Sequence, residues 1–177
     1  MSSNHPLKLL FVGRPSLEKG LPDLLKSLSL LRSYNWTLTI VGDMPTIDAQ
    51  LPMDNTRLLL RGRMPNEQIP GIMRCHDLVV VPSRYETFGN VALEAMACGL
   101  PVIASATGGL RDIIAQGVTG FLFCPGDWAE LAGVLKEIFE EKRDLAALGI
   151  NGRKRVLDCY SWARVSSETF RLLSRLL

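Results

Sequence analysis

Short apolar runs alternate with helically spaced ones along most of the chain. The runs at Leu7–Val12, Trp36–Val41, 56–60, 77–81, 101–105 and Gly120–Phe123 are rich in leucine, valine and isoleucine, and most end in glycine or charged loops. Runs this short and this continuously apolar predict strands buried on both faces of a parallel sheet. Between the first two, Leu21, Leu24, Leu25, Leu28 and Leu31 recur at helical spacing, with Pro22 tolerated in the first turn. Shorter helices are predicted over 66–76 and 110–116, and the polar, proline-broken 45–55 reads as loop. Beyond Asp127 the pattern is helical to the end. Leu131, Val134, Leu135, Ile138 and Phe139 make one stripe, and Trp162, Val165, Leu172, Leu173 and Leu176 make another. The expected fold class is α/β: a Rossmann-like, doubly wound, mostly parallel sheet flanked by helices, then an all-helical C-terminal segment. With no repeat, low-complexity tract or linker, residues 1–177 are expected to form one domain.

The stretch 82–101, PSRYETFGNVALEAMACGLP, organises the rest. A loop carrying Glu86 leads into a helix expected to start at Thr87, a good N-cap type, and to close at Gly99 before Pro101. Inside that otherwise apolar helix stands one carboxylate, Glu94, on the same face as Asn90 four residues earlier. A carboxylate in such company either faces water or faces a ligand rich in hydroxyls. Glu86 and Glu94 are expected on the order of 10 Å apart. A retaining hydrolase pair needs about 5–5.5 Å, so two grips on one extended ligand are the better reading.

Other loops after strands carry Gly13-Arg14, Gly42-Asp43, Arg61-Gly62-Arg63 and Thr107-Gly108-Gly109. In an open parallel sheet these loops share the carboxyl edge, where ligands bind. Cations beside carboxylates suit a ligand with both phosphates and hydroxyls. Arg14 and Lys19 flank the segment that opens the first helix, a favourable place for phosphate. Taken alone, that loop is more often a solvated basic surface with Lys19 near Glu18; the rim position reverses the preference. Phe88, Gly89 and Asn90 are expected in the first turn of the Glu94 helix, with free amides and room for a ligand at Gly89. Gly108-Gly109 is either a second such place or a plain turn.

Composition narrows the classes. The chain is 47% hydrophobic and 21% charged with a net charge of +2, which disfavours nucleic-acid binding by bulk charge. Cys75, Cys98, Cys124 and Cys159 lack metal or disulfide spacing and read as reduced core residues of a cytosolic protein. The start has no signal-peptide character and no apolar run reaches the roughly 20 residues of a membrane helix. A cytoplasmic location is expected, with peripheral membrane contact left open. His76 reads as a helix-end residue, and no metal motif, nucleophile elbow or P-loop is present. The missing GxGxxG disfavours an NAD oxidoreductase, and the lack of an acidic cluster disfavours a receiver domain.

Three features together resemble the C-terminal, donor-binding half of family-4 retaining glycosyltransferases of the GT-B type. They are Gly13-Arg14 with Glu18-Lys19-Gly20, the Glu86-x7-Glu94 block, and Gly108-Gly109 before Val118-Thr119-Gly120-Phe121. The resemblance implies a metal-independent glycosyl transfer that uses no cofactor and takes a UDP-, GDP- or ADP-linked sugar. It places the donor diphosphate on Arg14 and Lys19 beside Gly13, sugar hydroxyls on Glu86, and the ribose diol on Glu94. Thr87, Phe88, Gly89 and Asn90 would approach sugar and phosphates, and Arg63 and Met64 the base. Arg14, Lys19 and Glu86 would be the catalytic set. It also implies an N-terminal partner domain, in cis or in trans, that binds an acceptor sugar, lipid or small molecule. Two positions depart from the family pattern: Gly42-Asp43-Met44 stands where a G-x-G turn is common, and Asp112 where a glutamate often follows the double glycine. The alternative reading is a non-catalytic nucleotide or nucleotide-sugar module acting with a partner chain.

Overall fold

A computed structural model describes residues 5–43, 55–140 and 143–174. Its six strands are β1 (Leu7–Val12), β2 (Trp36–Val41), β3 (Leu58–Gly62), β4 (Leu78–Val81), β5 (Val102–Ser105) and β6 (Gly120–Phe123). They form one sheet in the order β3-β2-β1-β4-β5-β6, and every ladder is parallel. That is the doubly wound order, with the chain reversing its direction of travel between β1 and β4.

The period of two along each strand supplies both faces of the sheet. Leu9, Phe11, Leu38, Ile40, Val80 and Ile103 point to one face, where α1 (Leu21–Ser29) and α5 (Trp128–Phe139) cover them. Leu10, Val79, Val81, Val102 and Ala104 point to the other. There α2 (Ile69–Met73), α3 (Asn90–Ala97) and α4 (Leu110–Ile113) bury Met73, Ala92, Ala95, Met96 and Leu110. The fully buried strands explain the continuous apolar runs.

α6 (Leu145–Cys159) packs on α3, and α7 (Trp162–Leu173) follows it. Asp127, Asp144 and Ser161 cap α5, α6 and α7 through their side-chain oxygens. No residue of α7 is buried, and Trp162 is 88% exposed. The second apolar stripe therefore stays open along Trp162, Val165, Leu172 and Leu173, while Leu176 lies outside the described residues.

Several boundaries move from their expected places. The third strand begins two residues late because Asn55–Arg57 form a 3-10 turn, tied down where Arg57 donates to the Tyr34 carbonyl. The 66–76 helix resolves into a 3-10 turn, Asn66–Gln68, and the short α2. The 110–116 helix stops at Ile113, where a turn closes with the Gln116–Gly120 bridge. The expected loop at 45–55 falls almost wholly outside the described residues. The cysteines are a correction: Cys75, Cys124 and Cys159 are exposed and Cys98 is only half-buried. Apolar neighbours in sequence do not place a side chain inside when it sits on a turn or on the outer side of a helix.

Candidate functional site

The loops after β1, β4 and β5 are bound into one body at the carboxyl edge. The Glu18 carbonyl accepts from the Arg84 amide at 2.7 Å. Gly20 sits in a left-handed conformation, and a Cβ there would meet the Pro82 carbonyl oxygen at 1.8 Å. From the other side Gly108, at φ +47, abuts the Glu86 carbonyl so closely that a Cβ would come within 1.6 Å. The Gly109 amide donates to the Thr87 carbonyl at 3.2 Å. The double glycine is thus a clamp on the Glu86 loop rather than an open place for ligand.

Within this frame Lys19 Nζ lies 2.7 Å from Glu86 Oε2, joining residues 67 positions apart. Glu86 Oε1 accepts from the Gly89 amide at 3.3 Å, and Ser83 Oγ donates to Oε2 at 3.4 Å. Burial pushes the Glu86 carboxyl up; the Lys19 hydrogen bond and charge, with the Gly89 and Phe88 amides, outweigh it and hold the pKa below the usual value. Lys19 therefore pairs with Glu86, not with its sequence neighbour Glu18.

Glu86 also explains why the helix starts later than expected. Gly89, not Thr87, occupies the N-cap of α3, with φ +95 and its amide turned to the Glu86 carboxylate. Thr87 and Phe88 stay in the loop, exposed, and Asn90 is the first helical residue. A Cβ at Gly89 would meet Leu110 Cδ2 at 2.8 Å, so the glycine is also required for packing against α4.

Asn90 and Glu94 do share the exposed face of α3. The Glu94 carboxylate makes no hydrogen bond or ion pair among the described residues, and partial loss of hydration raises its pKa. Arg14 is exposed beside the half-buried Gly13 and its guanidinium is unpaired among the described residues. The Gly13 amide donates to the Val41 carbonyl at 2.9 Å, which ties the first loop to the end of β2. Arg63 is exposed and Met64 half-buried against the α2–α3 core. They follow β3, two strands from β1, so they sit on the same rim about 10 Å away. Met44, which follows Gly42-Asp43 in the chain, is outside the described residues.

Sequence reasoning missed Arg84 and Asp23. Arg84 grips Asp23 through Nε and Nη2, both at 2.8 Å, and the Asp23 side chain is only 6% exposed. The bidentate pair pins the Glu86 loop to α1. The available signal was Asp23 itself, a charge inside the buried stripe between Leu21 and Leu24, which requires a partner. Ser105 was missed as well; its buried hydroxyl donates to the Ser83 carbonyl beneath the loop.

His76 lies at the opposite, amino edge. Its Nδ1 meets the Ile72 carbonyl and its Nε2 meets Thr39 Oγ1, each at 2.7 Å. The carbonyl only accepts, so Nδ1 carries the proton and Nε2 accepts from the threonine. A cleft of about 690 Å³ opens on this edge between Tyr34, His76, Asp77 and Pro101, and no expected site residue lines it. Among the described residues no cluster of three or more His, Cys, Asp or Glu is placed to hold a metal, and no helix is long and apolar enough to cross a membrane.

The family described as glycosyl transferases group 1 matches residues 2–155. Over 171 residues the chain is 32% identical to a glycogen synthase of Mycobacterium tuberculosis, covering 93% of this chain and 41% of that protein. Anabaena HepE, solved in complex with UDP-glucose, superposes with a TM-score of 0.82 at 27% identity, over 96% of this chain and 49% of HepE. The C-terminal domain of a Francisella tularensis glycosyl transferase group 1 protein, LpcC, superposes with a TM-score of 0.78 at 25% identity, covering 89% of each chain. The chain thus spans a little under half the length of the glycogen synthase and of HepE, and nearly all of the LpcC domain.

Proposed function

This chain belongs to the glycosyl transferases group 1 as the C-terminal half of a GT-B fold, and from that premise we propose that it binds the nucleotide-sugar donor for metal-independent, retaining glycosyl transfer. The supporting observation is the Lys19–Glu86 pair beside unpaired Arg14, on the carboxyl edge of a doubly wound sheet. Arg14 and Lys19 take the diphosphate, and Glu86 takes sugar hydroxyls. Glu94 takes the ribose diol, because an unpaired, partly dehydrated carboxylate gains most from two hydroxyl donors. As the glycosidic bond breaks, charge grows on the leaving diphosphate, and the two cations with the loop amides stabilise it. Arg63 and Met64, which follow β3 on the same rim, take the base. HepE binds UDP-glucose, so UDP-glucose is the first donor to try.

The acceptor site belongs to a second, N-terminal half, supplied in cis or in trans. We assign the open stripe of α7 as a surface that this half covers, since Trp162 is 88% exposed.

A thermal-shift panel of UDP-, GDP- and ADP-linked sugars tests the donor reading. A ligand at 100 times its dissociation constant adds about 2.7 kcal/mol, enough to single out one donor. Arg14→Ala is expected to weaken that donor at least about tenfold, the scale of a charge-assisted hydrogen bond. Equal stabilisation of wild type and Arg14→Ala would remove the role given to Arg14.

A further inference from the structure

One cation of the free site is neutralised from within. Lys19 Nζ donates to Glu86 Oε2 at 2.7 Å, with the two side chains only 34% and 16% exposed. Arg14, on the same loop, is exposed and has no such partner among the described residues. One of the two cations facing the diphosphate is therefore engaged before any ligand arrives. The group that engages it is the one assigned to the donor sugar.

Resting on the nucleotide-sugar reading of this edge, we propose that Glu86 and the donor diphosphate compete for Lys19, so that sugar at Glu86 controls how firmly the diphosphate is held. An ammonium is a compact point charge, and dividing it between a carboxylate and a diphosphate weakens its hold on each. Sugar hydroxyls donate to Glu86 and replace Lys19 as its hydrogen-bond donors, which frees the ammonium for the diphosphate. After transfer the nucleoside diphosphate carries no sugar. Glu86 then recaptures Lys19, and the spent nucleotide loses one of its cations. The frame is suited to this exchange: Glu86 stays anchored by the Gly89 amide and by Ser83, while Lys19 is held at its tip by Glu86 alone among the described residues. By linkage, the sugar tightens the diphosphate by the same factor as the diphosphate tightens the sugar.

Calorimetric titration of the chain with UDP and with UDP-glucose tests the exchange, with GDP or ADP and their sugars substituted where those are the pair that binds. Glu86→Gln keeps an oxygen for the Gly89 amide and removes the charge. It is expected to bind the nucleoside diphosphate about three- to fivefold more tightly than wild type and to lose the preference for the sugar-linked form. Removing any nearby anion also favours a diphosphate, so the comparison is repeated in a Lys19→Gln background. There the exchange requires the gain to vanish, and an equal gain in both backgrounds overturns it. Lys19→Gln alone gives an independent check: it must weaken the sugar-linked form by a larger factor than the bare diphosphate, and equal losses overturn the exchange. If the wild-type chain binds no nucleotide of either kind, the donor reading falls and the exchange with it. If wild type binds both and Glu86→Gln leaves the diphosphate affinity unaltered, only the exchange falls.

Discussion

Two carboxylates separated by seven residues are held in opposite electrostatic states. Glu86 is half-buried but met by a cation and two amides, and its pKa is lowered; Glu94 is met by nothing among the described residues, and its pKa is raised by lost hydration. A partly dehydrated charge without a partner costs some stability in the free protein. Glu94→Gln is therefore expected to leave the free chain as stable as wild type or more stable, by about 0.5 kcal/mol at most, the scale of exposed substitutions. The same variant is expected to weaken nucleotide binding about tenfold by losing the charge-assisted bonds to the diol. Chemical denaturation and titration of the same sample check both halves, and a destabilised variant with normal affinity would reverse the assignment. Residue types and spacing alone make Arg14, Lys19, Glu86 and Glu94 legible as candidates. The pairing among them is not legible in the same way, because Lys19 and Glu86 meet only after four strands have been laid into a sheet. Asp23–Arg84 is harder still, since a single aspartate in an amphipathic helix signals a need without naming what fills it.

At the level of elements, the strands and the long helices are legible because burial on two faces and the 3.6 period write themselves into composition. The ends of the elements are not, and the shifts share a cause. Thr87 and Gly89 are comparable N-caps by type, and the choice falls to Gly89, which takes the left-handed conformation with its own amide on the Glu86 carboxylate. Where residue types are evenly matched, a side-chain contact decides the boundary. The same loops explain the glycines. Gly108→Ala would drive a Cβ into the Glu86 carbonyl, whereas Gly133→Ala in α5 meets open space on an exposed helix face. Gly108→Ala is expected to cost more than about 1 kcal/mol and to disturb nucleotide binding. Gly133→Ala is expected to add roughly 0.5–1 kcal/mol, the helix-propensity gain. Denaturant midpoints read the contrast directly, and two variants of equal stability would mean that the Gly108 clamp yields.

Across the whole molecule the parallel sheet separates two kinds of work. Loops at the carboxyl edge gather Arg14, Lys19 and Glu86, while contacts at the amino edge tie the fold together beside its cleft. There Asp77 accepts from the Lys8 amide at 2.8 Å, and His76 bridges the end of α2 to Thr39 in β2. Burial lowers the His76 pKa, with Lys8 and Arg61 adding to that; the Ile72 carbonyl and Asp77 oppose it without reversing it. A histidine with a depressed folded pKa binds its proton more readily in the unfolded chain. Its contribution to stability is whole above the unfolded value of about 6.5 and is lost as the pH falls from there through the folded value. Glu86 acts in a lower window, because a depressed carboxyl pKa costs stability only below the ordinary glutamate value of about 4.3. Glu94, whose carboxyl pKa is raised, acts with the opposite sign above the ordinary glutamate value, its charge costing stability as the pH rises. Between pH 7 and pH 5 the part of the slope that rises with pH should thus belong to His76. His76→Gln is expected to be less stable than wild type at pH 7.5 yet flatter across that interval, with nucleotide affinity at pH 7.5 unaltered because the residue stands at the far edge. Parallel melting curves for the two proteins from pH 7 to pH 5 would place the proton elsewhere, whereas a lost nucleotide affinity would mean that the two edges are coupled through the sheet.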